Sequence, residues 1–359
     1  MKRLSFAITV SLVLFISRIY VQAQPAARAP IVATNVIPDE VATRLMPVPI
    51  FDFAVHNVSF SPDGHTLATG NGHGLVRLWD VKTGELRSSI HAHTNWAFAI
   101  AWATTGKFFV TGGGDAQVHL FKANSSTPSQ TFQGHKGDAH SVVLTPDNKR
   151  IISAGDDKQI IVWNIESGKA ERTWTAHERQ IPTVALSADG KRLASGSRDH
   201  SIRLWNPNTG TLLATLAGHT GDVMCVRFSP NGRWLASASY DQTVRLWNVA
   251  GGKAEHVLNG HTNRVFSVAF SPDGKQLASA GDANVRIWDV KQGKQLKVFS
   301  LGGAILTDRG IVTENLSCVS FSPDGKLLAV SSTTGETFLL RPDTGVVVHR
   351  LAEPKEKAE

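Results

Sequence analysis

The sequence predicts an all-β protein in which seven small four-stranded antiparallel sheets stack side by side and close into a ring. Three observations carry this reading. Histidine recurs at His93, His135, His177, His219 and His261, always 42 residues on. An aromatic residue recurs with the same step at Trp79, Phe121, Trp163, Trp205 and Trp247, then Trp288 after 41 residues and Leu340 after 52. A turn such as Ser61-Pro62-Asp63-Gly64 comes back at Ser271-Pro272-Asp273-Gly274 and Ser322-Pro323-Asp324-Gly325. Self-similarity at about 40 residues marks a repeat architecture.

The chain begins with Lys2 and Arg3, then an apolar and hydroxyl run over residues 4–17 that Arg18 ends. With Val21 and Ala23 offering small side chains before Gln24, residues 1–23 read as a signal peptide cleaved after Ala23. The run is short for a membrane span. Export predicts a secreted or periplasmic protein. Residues 24–43 contain Pro25, Pro30 and Pro38 and read as a Pro-rich linker. Lys2, Arg3 and Arg18 are the charged groups of residues 1–23, so cleavage takes the formal charge from +7 to +4. The remaining basic residues are scattered, which argues against nucleic acid as a partner.

Residues 44–352 hold the repeats, and 353–359 form a charged tail. Each unit shows runs such as Leu235-Ala236-Ser237-Ala238-Ser239 and Val244-Arg245-Leu246-Trp247-Asn248, bounded by Pro, Asp and Gly turns. Period-2 runs between such turns are strands. A four-stranded sheet of this size cannot bury both faces alone, so neighbours must stack, and ring closure leaves few exposed ends. The fold class is therefore a seven-bladed β-propeller. Along the innermost strand, Val58 and Phe60 share one face while Asn57 lies on the other; the equivalents of Asn57 are Ala99, Ser141, Thr183, Cys225, Ser267 and Cys318. Large residues of one blade can then meet small ones of the next. Cys225 and Cys318 occupy the same column of non-adjacent blades, too far apart for a disulfide. The outer strand of blade seven has two candidates, residues 44–48, where Pro47 is a handicap, and residues 346–351, which are favoured.

The repeated histidine, turn, aspartate and Trp-Asp or Trp-Asn pair resemble the WD-repeat family, here in an exported, bacterial-type form. The resemblance covers residues 51–352. It implies a buried polar set in each blade, joining His, Ser or Thr, Asp and Trp. The residues concerned are His93 and Asp115; His135, Asp157 and Trp163; His177, Asp199 and Trp205; His219, Asp241 and Trp247; and His261, Asp282 and Trp288. A Ser-His-Asp catalytic reading fails because the trio occurs five times. No catalytic residue, cofactor or metal site is expected. Blade one has Phe51 and His73 where His and Asp are expected, and blade seven has Thr334 and Leu340 where Asp and Trp are expected.

The resemblance also implies that the turn before the innermost strand and the turn before the third strand share one end of the ring. The variable residues there define a candidate partner-binding face: Trp96, Phe98, His140, Arg198, Met224, Tyr240, Arg264 and Phe266. Aromatic residues, Met and Arg are over-represented at interface centres. Residues 301–315 are an insertion expected to project from the same end, with Asp308, Arg309 and Glu314 making it polar. The expected function is a protein-interaction scaffold with partners in the cell envelope or outside the cell. The alternatives are an enzyme or small-ligand binder at the central channel, or adhesion to a cell-surface polymer.

Overall fold

The computed structural model describes residues 55–302, 304–307, 310–313 and 315–352. The signal, the linker, residues 44–48, Phe51 and the tail 353–359 lie outside them. The described residues form seven four-stranded antiparallel sheets and one additional two-stranded hairpin, with no helix among them. This is the seven-bladed β-propeller. In blade one the strands run in order from the centre outward: β1 (Val55–Phe60), β2 (Thr66–Asn71), β3 (Leu75–Asp80) and β4 (Leu86–His91). The other six blades repeat that order. Their innermost strands are β5 (Ala97–Trp102), β9 (Ser141–Leu144), β13 (Thr183–Leu186), β17 (Val223–Phe228), β21 (Ser267–Phe270) and β27 (Leu316–Phe321).

Burial explains the sequence of each strand. The middle strands β2 and β3 are covered on both faces, so they read as nearly continuous small or apolar runs. Outer strands such as β4 meet solvent, and Ile90 is the one buried residue of β4. The core is a set of apolar clusters that each span two neighbouring blades, such as the one joining Val244 and Leu246 to Val268 and Trp288. No blade buries its own faces without a neighbour.

The small column of the innermost strands does more than make room. The Ser141 hydroxyl accepts from Val184 N–H at 3.0 Å in the next blade, Thr183 accepts from Val226 at 3.2 Å, and Ser267 accepts from Val319 at 3.2 Å. The Cys225 thiol donates to Val268 C=O at 3.7 Å. One small polar side chain thus fastens the innermost strand of each of these blades to the next. Both cysteines are buried and free, and burial pushes the Cys318 thiol up from its ordinary pKa.

The remaining column of these strands, Ser59, Ala101, Val143, Ala185, Arg227, Ala269 and Ser320, lines a central channel of about 520 Å³. Arg227 is the one charged side chain among its lining residues, and its guanidinium donates to Val226 C=O at 2.8 Å.

The ring closes between blades seven and one. The fourth strand of blade seven is β30 (Val347–Leu351), paired with the third strand of its own sheet. Among the described residues no strand is exchanged between these two blades. Closure rests on an apolar cluster of Val55, Val58, Trp79, Cys318, Leu339 and Leu351, on the Ser317 and Ser331 hydroxyls donating to Val55 C=O, and on His349 Nε2 near Lys82 C=O at 3.0 Å. We predict that amides of blades one and seven exchange fastest with deuterium. Equal protection across all seven blades would contradict this.

Candidate binding face

In blades two to six the rim is set from beneath by a buried polar chain. In blade five, His219 Nδ1 lies 2.7 Å from Asp241, His219 Nε2 lies 2.7 Å from Ser237 Oγ, and Trp247 Nε1 donates to the same oxygen at 2.8 Å. The proton order that satisfies every atom runs from Trp to Ser, Ser to His, and His to Asp. The arrangement recurs in His135–Asp157 with Ser153 and Trp163, in His177–Asp199 with Ser195 and Trp205, and in His261–Asp282 with Ser279 and Trp288. Blade two joins His93 to Asp115 and to Thr111 Oγ1, but Phe121 supplies no N–H.

The aspartate of each chain also ties two turns together. Asp241 accepts from Thr220 N–H at 3.1 Å, ahead of the innermost strand, and from Thr243 N–H at 3.0 Å in its own turn. Burial alone would raise the pKa of Asp199, Asp241 and Asp282, but the imidazole bonds and neighbouring donors outweigh it and hold all three below the usual carboxylate range. Those turns place non-glycine residues in the left-handed region, including Lys158 at φ 65° and His200 at φ 71°. Such geometry persists where surrounding bonds over-determine it.

Blades one and seven differ from this plan in unlike ways. In blade one Trp79 still donates to Thr69 at 3.0 Å, while Asn71 Oδ1 accepts from His73 N–H and Leu75 N–H. Asn71 therefore bridges the turn where other blades use Asp. In blade seven, Val330, Phe338 and Leu340 fill the interior as part of an apolar cluster.

The two rim turns meet through one repeated backbone bond: Gly114 N–H to Trp96 C=O at 2.9 Å, Asp156 to Asp138 at 3.0 Å, Arg198 to Gln180 at 3.0 Å and Tyr240 to Asp222 at 2.9 Å. A second rim column is produced by bulges. Register shifts in β1, β5, β17 and β27 fall at His56, Phe98, Met224 and Ser317. A bulge re-aims the side chain at the extra residue.

These devices gather the candidate residues into two groups. His56, Trp96, Phe98 and His140 form one continuous aromatic array across blades one to three. Their ring centres are 4.9 Å apart for His56–Trp96, 5.3 Å for Trp96–Phe98 and 4.4 Å for Phe98–His140. The second group has Tyr240 edge-on to Phe266 at 5.4 Å and the Arg264 guanidinium 4.6 Å above the Tyr240 ring. Burial raises the Tyr240 pKa. Arg198 lies between the groups, 3.9 Å from Asp222, which also approaches His200 at 3.5 Å. Met224 is half-buried on the rim.

His56, Asp138, Asp156 and Asp222 stand in the same variable columns but outside the candidate set; their neighbours across the rim bring them into it. The insertion is also more ordered than a loop: β25 (Ala304–Thr307) and β26 (Gly310–Thr313) pair as a hairpin. It occupies the connection that in blades two to six carries the repeat histidine. Asp308, Arg309 and Glu314 lie outside the described residues.

The fold and the repeated buried set define a WD-repeat propeller. The sequence profile of the "WD domain, G-beta repeat" matches residues 126–164, 168–206, 210–248, 252–289 and 307–336, and that of the "Anaphase-promoting complex subunit 4 WD40 domain" matches 48–103. The first covers more than half of the chain, which belongs to the WD40 repeat family. The chain is also similar to "Ribosome assembly protein 4" of Chaetomium thermophilum, 36% identical over 50 residues. That stretch is 14% of this chain and spans a tenth of the relative's length. Among the described residues no helix is long and apolar enough to cross a membrane.

Two predictions follow from the buried groups. Ser195→Ala leaves His177 Nε2 and Trp205 Nε1 without their shared partner, so urea unfolding should show a loss of about 1–3 kcal/mol; an unchanged midpoint and slope would contradict this. Burial holds the pKa of His56 at about 4 and does the same for His119. Both protonate near 6.5 in the unfolded chain. Their depressed pKa favours the folded state fully above about pH 6.5 and progressively less as pH falls toward 4. The thermal midpoint should decline over that range, and decline less in His119→Asn. The same decline in both proteins would contradict the assignment.

Proposed function

We propose that this protein is a non-catalytic protein-interaction scaffold that engages its partner through the aromatic rim. The observation that carries the reading is the four-ring array His56–Trp96–Phe98–His140 together with the Tyr240–Arg264–Phe266 group, on one end of a rigid ring. Aromatic residues and arginine are enriched among the residues that carry most of the binding energy of an interface, and rings already packed on their neighbours lose less entropy on binding. The Ser, His and Asp trios support the non-catalytic reading. They recur in five blades, and each Ser or Thr hydroxyl is fully buried, out of reach of a substrate.

The protein acts after export, in the periplasm or outside the cell, and its partners belong to the envelope or exterior. The basic start, the apolar run and the small residues at 21 and 23 support this reading. Mass spectrometry of the native protein should find a mature N-terminus at Gln24, and an intact N-terminus on protein recovered from the cell interior would contradict export.

Affinity capture from a native envelope extract tests the scaffold. Proteins held by the wild type should be lost from a Trp96→Ala/Arg198→Ala/Tyr240→Ala variant that keeps its thermal midpoint. Equal recovery by both would overturn the assignment of the face.

A further inference from the structure

We propose that the rim of blade three is a divalent transition-metal site, with Asp138, His140 and Asp156 as its protein ligands. Each side chain offers one donor atom, and all three donors lie within 4.8 Å of one another. His140 Nε2 is already 2.8 Å from Asp156 Oδ1. Tetrahedral donors about 2.1 Å from a zinc ion stand about 3.4 Å apart, so binding needs only a small opening of that pair. All three residues are half-buried, which leaves the outer coordination positions open to water or to a group from a partner.

The repeat itself does not call for these residues. The same three rim positions hold Trp96, Phe98 and Gly114 in blade two, Gln180, Pro182 and Arg198 in blade four, Asp222, Met224 and Tyr240 in blade five, and Arg264, Phe266 and Gly281 in blade six. Among these blades, blade three alone puts a ligand type at every position. The backbone brings them together tightly: Asp156 N–H donates to Asp138 C=O, and a Cβ on Gly155 would come within 1.8 Å of that oxygen. Two carboxylates held this close repel each other, and a dication relieves that cost.

His56 stands on the same rim, two blades away. Its Nε2 is buried with no partner among the described residues. It shares the aromatic shelf with His140, each packed on Phe98. A buried imidazole nitrogen without a partner is a polar group left unsatisfied. A second close trio, His93, Asp115 and His119, lacks this freedom, because His93 spends both nitrogens on Asp115 and Thr111. An imidazole with two carboxylates suits zinc or manganese better than the all-oxygen cages of calcium.

Calorimetric titration of tag-free full-length protein with Zn²⁺ tests the site. One equivalent should bind saturably. Asp138→Asn and His140→Gln should each weaken binding by about tenfold or more, while Asp222→Asn, at the matching position of blade five, should not. Co²⁺ should give visible absorption bands in the wild type that are lost in His140→Gln. Failure to bind one equivalent, or variants of unchanged thermal midpoint that bind like the wild type, would overturn the site. The scaffold reading is independent of this result, since it rests on partner capture.

Discussion

A single buried hydroxyl, shared between an imidazole and an indole, is the interaction on which most of this ring depends. Ser153, Ser195, Ser237 and Ser279 each sit fully buried between a His and a Trp. An unpaired polar group there would cost more than the bond is worth, so the set is satisfied as a whole or destabilises the blade. Because the chain ends on an Asp that holds two rim turns, satisfaction of the interior also fixes the face. Arg198 and Tyr240 each precede the Asp of their chain by one residue. Rim variety in blades two to six is thus carried on a repeated anchor, which is how one repeat can present different chemistry from blade to blade.

Blade seven meets the same constraint by removing the polar groups together. Val330, Phe338 and Leu340 replace hydroxyl, polar and indole positions with members of an apolar cluster. Exchanging both partners for apolar groups of suitable shape can be nearly neutral, unlike deleting one. Blade one takes a middle course, keeping Trp79 on Thr69 and passing the turn-bridging role to Asn71. The seam is therefore closed by packing and a few side-chain bonds to backbone carbonyls rather than by the full polar set.

Much of this was legible in the sequence because each unit restates it. The His, Asp and Trp columns could be aligned against each other, and their spacing placed them in corresponding positions of every blade. What depends on contact between units was not legible in the same way. The Ser141, Thr183 and Ser267 column reads as small, and only the neighbouring strand shows that its hydroxyls accept from the next blade. The extra length near residue 301 announces an insertion without disclosing the β25–β26 pair. Trp96 and Phe98 stand out by residue type alone. Their union with His56 and His140 requires the bulges and the ring, because those four residues come from three blades. Asp138 and Asp156 look like turn residues until the backbone bond between their loops sets them beside His140.

The central claim is that the buried chain holds the rim. Residue-level hydrogen–deuterium exchange on Asp241→Asn tests it directly, since the substitution weakens the acceptor that joins Thr220, Thr243 and His219. The account predicts faster exchange confined to the turns around Thr220 and Tyr240–Thr243, with the blade-two rim at Trp96 and Gly114 unchanged. Exchange that rises evenly around the ring, or not at all at those turns, would contradict it.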